Sequence, residues 1–364
     1  MPVAQAPLPE SAVDRPVPDQ EQPPARARRA TLVAVVLIVG LAGAASMSML
    51  LGAGDTTPAQ AVAWLLGDPA ARADEKLDVI LVSLRWPRTL AAVVVGVGLG
   101  VGGVLLQAVT RNVLAETGIL GVNAGAALGV VVGITAAGAE TGYAYLLWAL
   151  VGAFAASALV LAIAASGRAA GSPLRLLLVG LALGMTFKGL TGALLLRSAM
   201  SYDQYRFWVL GSLSGVELRT VLAALPAVVL GLLAALVLLR PMSALSLGDD
   251  AARALGHRPG LVRTGVAGAV TLLAAAAVAI AGPIAFLGLI APFAARALVG
   301  AHLGAQLAVA GVLAPAILLL ADVAGRLVVR PYEAPAAVFV TLLGAPLLIA
   351  VARSGRLLTL GAGR

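Results

Sequence analysis

Apolar residues run along this chain in blocks near twenty residues long, and most polar and charged residues gather in the short segments between them. About twenty such residues is the length an α-helix needs to cross the hydrocarbon core of a bilayer. The blocks predict ten spans, at 30–51, 89–108, 118–137, 143–165, 174–196, 221–239, 263–282, 283–298, 303–321 and 334–352. The third and eighth are short and interrupted by Gly, Asn or Pro. Backbone groups in hydrocarbon must bond within the protein, and continuous runs of Ala, Leu, Val and Gly do so as helices rather than as the alternating strands of a barrel. The predicted fold is therefore an all-α, polytopic membrane bundle.

Between the first two spans, Thr57 can cap a helix, Pro58 suits its first position and Gln60 can complete a capping box. A short interfacial helix is expected there, through Trp64 and Leu65. Residues 1–24 are Pro-rich, polar and aperiodic. Arg26, Arg28 and Arg29 resemble the start of a signal peptide, but the apolar run after them is too long for an h-region, so a retained span is expected. Residues 1–29 are read as a disordered cytoplasmic tail, 30–356 as the transmembrane domain and 357–364 as a second cytoplasmic tail.

Composition agrees, with 60% hydrophobic and 12% charged residues and a mean hydropathy of +1.00. The 42 glycines permit close helix contacts, and the absence of cysteine excludes disulfides, thiolate metal sites and cysteine catalysis. A net charge of +8 would suggest nucleic acid in a soluble protein; here its distribution reports orientation instead. An even number of spans puts both termini on one side of the plasma membrane, and placing that side in the cytoplasm puts most of the Lys and Arg residues inside. The outer segments nevertheless carry a surplus: Arg72, Lys76, Arg85, Arg88, Arg197, Arg206, Arg219, Arg326 and Arg330.

One polar segment stands out, between the sixth and seventh spans. Asp249 can cap a helix with Asp250 in its first turn, Arg253 lies at i+4 from Asp249, and Gly256 is placed to end it. Ala251, Ala252 and Leu255 would give it a small apolar face. It is either an ordinary surface helix or a contact for a water-soluble partner. Within the spans Lys188 is the clear charge, facing a central path or pairing with a carbonyl of the bundle. Asn123, Thr186, Thr191 and Ser198 can line a cavity, although Ser and Thr in spans also bond to their own helix. Ion-coupled secondary transport, the alternative, calls for acidic or His residues inside the spans, whereas the acids fall at ends and loops and only His257 and His302 exist.

Six separated blocks carry a resemblance: residues 84–129 (LRWPRTLAAVVVGVGLGVGGVLLQAVTRN, then LAETGILGVNAGAALG), RFWVLGSLSG at 206–215, the polar helix, AGPIAFLGLIAPFAAR at 281–296, LLLADVAGRL at 318–327 and LLGAPLLI at 342–349. In this order they resemble the FecCD-type permease subunits of iron-siderophore, haem and cobalamin ABC importers, and are most similar to those of ferric-siderophore systems. That resemblance implies two permease subunits around one path, two ATPase subunits that hold the ATP and magnesium, an extracytoplasmic binding protein that delivers the ferric siderophore, and no cofactor, metal or nucleic acid on this chain. The stretch Leu247, Gly248, Asp249, Asp250, Ala251, Ala252, Arg253, Leu255 and Gly256 matches the family's coupling helix, which seats in an ATPase groove. No G-x-x-x-x-G-K-[ST] loop occurs here, consistent with ATP chemistry on another chain. Arg85, Arg88 and Arg326 match basic residues that receive carboxylates of the binding protein. For Arg326 the competing role is an ion pair with Asp322 at i−4; for Arg85 and Arg88 it is interfacial snorkelling. Two departures stand out: Arg111 to Thr117 reads RNVLAET where the family usually has R-N-P-L-A-[DE]-P, and Pro292-Phe293 stands where many relatives have Pro-His.

Overall fold

The computed structural model describes residues 23–52, 56–139, 141–166, 173–196 and 199–353. Among them there is no strand, and a helix stands at each of the ten predicted spans: α1 (Pro23–Leu50), α5 (Trp86–Thr110), α6 (Val122–Ala137), α7 (Gly142–Ala165), α8 (Pro173–Leu195), α10 (Leu218–Ser246), α12 (Pro259–Ala281), α13 (Leu287–Val299), α14 (Leu303–Val328) and α15 (Ala336–Arg353). Seven described helical stretches are long and apolar enough to cross a membrane; α6, α13 and α15 are shorter apolar helices. The first helix begins at Pro23, inside the stretch expected to be a disordered tail. Proline is suited to the first helical turn, and the Ala and Arg residues that follow are strong helix formers.

The capping box falls where the sequence places it. Thr57 accepts from the Gln60 amide at 3.3 Å, Gln60 Oε1 accepts from the Thr57 amide at 2.8 Å, and α2 (Pro58–Leu66) follows. Four further segments were not foreseen: α3 (Pro69–Arg72), α4 (Glu75–Asp78), a π-helical stretch (Val79–Arg85) and α9 (Ala199–Val209). They are too short or too polar to register as spans. Through the π-helical stretch, α4 and α5 join into one continuous helical rod from Glu75 to Thr110.

At the centre stands α5, packed on α10, α12, α13 and α14. Glycine makes this possible. A Cβ at Gly96 would strike the Pro315 backbone of α14, and one at Gly100 would meet the Ala310 carbonyl at 2.6 Å. The pair, four residues apart, is a small-residue stripe that lets two backbones touch where lipid supplies no hydrophobic drive. The same device joins α6 to α7, where Gly125 and Gly129 face Gly152.

Helices α6 and α13 are short because both start inside the bundle. After α5 the chain reverses at Arg111, in the left-handed region at φ 51°, and runs back along α5 to a 3₁₀ turn (Thr117–Leu120) and Gly121 (φ 72°). The Thr117 methyl lies 3.6 Å from where a Cβ on Gly102 would sit, eight residues before the end of α5, or about 12 Å into the bundle at 1.5 Å per residue. From the opposite end, residues 282–286 descend without helical structure until α13 begins with Gly288 against Gly103. Irregular backbone at such depth survives only when protein surrounds it. Here the Phe286 amide, at a left-handed φ of 65°, donates to Glu116 Oε1 at 2.8 Å, tying one broken span to the other.

Glu116 was placed by sequence among the loop acids; the reversal of the chain carries it to membrane depth. Removing its acceptor strands the Phe286 N–H, which costs about 1–3 kcal/mol when buried. Thermal melting in detergent should therefore place Glu116→Ala below Glu116→Gln, which keeps a carbonyl oxygen at that position. Equal melting of the two variants would contradict this role.

Candidate functional site

Two polar constellations lie at opposite ends of the bundle. At one end, Gly248 adopts φ 116°, open to glycine alone in practice, and turns the chain from α10 into α11 (Asp249–Ala254). Asp249 is the first residue of this helix rather than its cap: Gly248 holds the cap position with no side-chain bond, and the Asp249 carboxylate instead accepts from Arg263 of α12 at 2.8 Å. Arg253 pairs with Asp250 at i+3, at 2.6 Å, and not with Asp249. The helix ends at Gly256 (φ 80°) with the His257 amide returning to the Ala252 carbonyl. Across the bundle, Arg111 Nη2 donates to the Leu245 carbonyl at 2.7 Å, fastening the end of α5 to the turn that launches α11.

The apolar face of α11 differs from expectation. Ala252 is fully buried against its own chain and Ala251 half-buried, while Ala254 is exposed. The large apolar side chains left to solvent are Leu247, 72% exposed, and Leu255, 62% exposed. They line a groove of about 520 Å³ with Arg240, His257 and His302. His302 caps α14, its Nδ1 accepting from the Ala305 amide at 3.2 Å.

At the other end, Arg85, Arg88 and Arg326 do not stand on the surface: their exposures are 4%, 7% and 2%. Arg88 grips Asp322 through Nε and Nη2 at 2.8–3.0 Å and donates Nη1 to Glu333 at 2.6 Å. Arg326 pairs with Asp322 at 2.5 Å, the i−4 ion pair that competed with docking in the sequence. The remaining donors converge on the end of α1. Arg326 serves the carbonyls of Ser48 and Leu51, Arg85 those of Met49 and Leu50, and Arg330 that of Gly52. The last carbonyls of a helix lack partners within it and carry its negative pole, so guanidiniums are apt caps. Of this cluster, sequence reasoning missed Glu333 and Ser48, which no local spacing links to the arginines.

The expected path residues sit on neighbouring helices, since α6 packs on α8. Asn123 is half-buried with its Oδ1 buried and unbonded, and Lys188 is exposed on α8, a largely uncovered apolar helix. Thr186 and Thr191 bond to carbonyls of their own helix at 3.0 and 2.8 Å; Ser198 lies outside the described residues.

A bundle of long and broken membrane helices, capped by a charged helix at one end and a buried ion cluster at the other, is the architecture of a membrane-transport subunit. The model of the FecCD transport family matches residues 36–354, and the chain belongs to that family. It is 41% identical over 319 residues to the ferric enterobactin transport system permease protein FepD of Escherichia coli (strain K12), covering 87% of this chain and 93% of that one. It is 37% identical to the Fe(3+)-citrate import system permease protein YfmD of Bacillus subtilis (strain 168), over 77% of this chain and 83% of the relative. Among solved structures, one described as a metal-chelate type ABC transporter in an inward-facing conformation matches with a TM-score of 0.75 at 27% identity, over 89% of this chain and 99% of that chain.

Asp322 holds two guanidiniums at zero exposure, and Asp322→Asn leaves the buried Arg326 without a paired carboxylate and Arg88 with Glu333 alone, which costs about 3–5 kcal/mol. The variant should express poorly and melt well below wild type, whereas a conventional surface residue would change neither.

Burial acts to raise the pKa of Glu333, but its bonds from Arg88 and Ser214 outweigh that and hold it below the ordinary value. A carboxyl depressed in the folded state contributes stability above its unfolded pKa, about 4.3, and loses it as pH falls through the folded value. The melting difference between wild type and Glu333→Gln should thus be full near neutrality and close below about pH 4; a pH-independent gap would remove the charge from the explanation.

Proposed function

We propose that this chain is the membrane-spanning permease subunit of an ATP-binding cassette importer that carries a ferric siderophore or a related metal chelate into the cytoplasm by alternating access. The observation that carries this reading is α11: a charged helix between two membrane spans whose buried side holds Ala252 and whose exposed side offers Leu247 and Leu255. Such a helix suits the groove of a soluble ATPase, where ATP and magnesium would reside. Two ATPase subunits acting on a pair of permeases would move α11, and the Asp249–Arg263 and Arg111–Leu245 links would pass that motion to α12 and α5. The uncovered apolar face of α8, which carries Lys188, suits a second permease subunit across a shared path. Membership in the FecCD transport family, with relatives named for ferric enterobactin and Fe(3+)-citrate, supports the substrate class.

In this reading α11 faces the cytoplasm, with both termini, and the arginine cluster lies beneath the outer face. Four guanidiniums, of Arg85, Arg88, Arg326 and Arg330, surround two carboxylates, of Asp322 and Glu333, leaving a positive field for the acidic lobes of an extracytoplasmic binding protein. Arg85, Arg88 and Arg326 would act through that field, with Arg330 the exposed member able to touch a partner.

Leu247→Asp and Leu255→Asp should abolish co-purification of the ATPase and uptake of radiolabelled iron presented on a panel of chelators, while leaving membrane insertion and melting unchanged. Ala252→Arg, by contrast, should damage the fold itself. Normal iron uptake on every chelator in a strain lacking this chain would refute the substrate class; normal ATPase capture by both leucine variants would refute the coupling role.

A further inference from the structure

A cavity of about 660 Å³ opens beside α11, at the level where α5 and α7 end and α8 and α12 begin. Its volume is that of a ligand site rather than a packing defect, since small-molecule pockets span about 300–1,000 Å³. The wall is apolar, formed by Val109, Leu161, Ala164 and Leu176 from the last or first turns of α5, α7 and α8. The mouth is basic. Arg253, His257, Arg258 and Arg263 line it with a single carboxylate, Asp249.

Charge bookkeeping within the mouth leaves a surplus. Arg263 is paired with Asp249 and Arg253 with Asp250, but among the described residues Arg258 has no partner. Arg263 moreover keeps its Nε–H buried without an acceptor. A free guanidinium and an orphaned donor at one mouth ask for an anion with several acceptor oxygens. A free anion would satisfy the mouth and leave the apolar wall behind it wet. The wall itself lies at the ends of apolar helices, where the headgroups and acyl chains of a bilayer meet.

We propose that this cavity binds an anionic phospholipid, its phosphate held by Arg258 and Arg263 and one acyl chain laid against Val109, Leu161, Ala164 and Leu176. Basic pockets between membrane helices suit such headgroups on general grounds. Because Asp249 shares Arg263 with the bound phosphate, the lipid would bear directly on the α11 anchor, so the composition of the leaflet would set how firmly that helix is held.

The test is native mass spectrometry of the full-length chain, purified in detergent with its co-purifying subunits, delipidated and titrated with phosphatidylglycerol or phosphatidylcholine of matched chains. Wild type should retain phosphatidylglycerol preferentially. Arg258→Gln should lower that preference about fivefold, the effect of one basic residue beside an anionic headgroup, and Arg258→Lys should restore it. Ala164→Phe, which fills the apolar wall, should weaken retention with the mouth intact. Excess inorganic phosphate should leave the lipid in place. Equal retention of the two lipids by wild type, an unchanged preference in Arg258→Gln, or displacement by inorganic phosphate would each overturn the proposal. The readout is lipid retention alone, so it stands or falls separately from transport and substrate class.

Discussion

Every peptide group at membrane depth must find its hydrogen bond inside the protein, and this chain breaks its helices at several places where that is hardest. The consequences organise the structure. Where α1 stops, five successive carbonyls from Ser48 to Gly52 are met by Arg326, Arg85 and Arg330. Where α13 begins in mid-bundle, the carboxylate of Glu116 meets the Phe286 amide. Charged side chains thus complete backbone that water would otherwise solvate.

Burying those charges creates a second requirement. A guanidinium in a poorly solvating interior needs a counter-charge, and Asp322 and Glu333 supply it from α14 and the loop after it. The negative pole of α1 absorbs part of the remaining positive charge. Arg85, Arg88, Arg326 and Arg330 are thus fixed as caps and ion pairs of the fold, and any partner would feel their field more than their surfaces.

At the opposite end the same economy of contacts ties α11 to the bundle. Ala252 faces inward and the flanking Leu247 and Leu255 outward, and ties to α12 and to the end of α5 hold the segment against the bundle. In the proposed coupling role, a push on Leu247 and Leu255 would be delivered to the helices at the centre of the bundle. Those helices pack backbone to backbone through Gly96, Gly100 and Gly103, so displacement would be transmitted rather than absorbed by flexible side chains.

The sequence by itself determined the helical class, the ten apolar segments, the Thr57 capping box and the position of the polar helix, because each depends on residues a few positions apart: a run of apolar side chains, a cap and its third neighbour, a glycine after a turn. The i−4 spacing of Asp322 and Arg326 was legible for the same reason. Only the tertiary structure decided that Arg88 reaches Glu333 across 245 positions, that Arg85 caps a helix from which it is 35 or 36 residues distant, and that Ala252 turns inward. It also carried Glu116 into the bundle, since the depth of a loop residue follows from how the chain folds back on α5 and has no local signature. Burial and pairing of charge are properties of what lies opposite a side chain in space, and the linear order of residues does not record that.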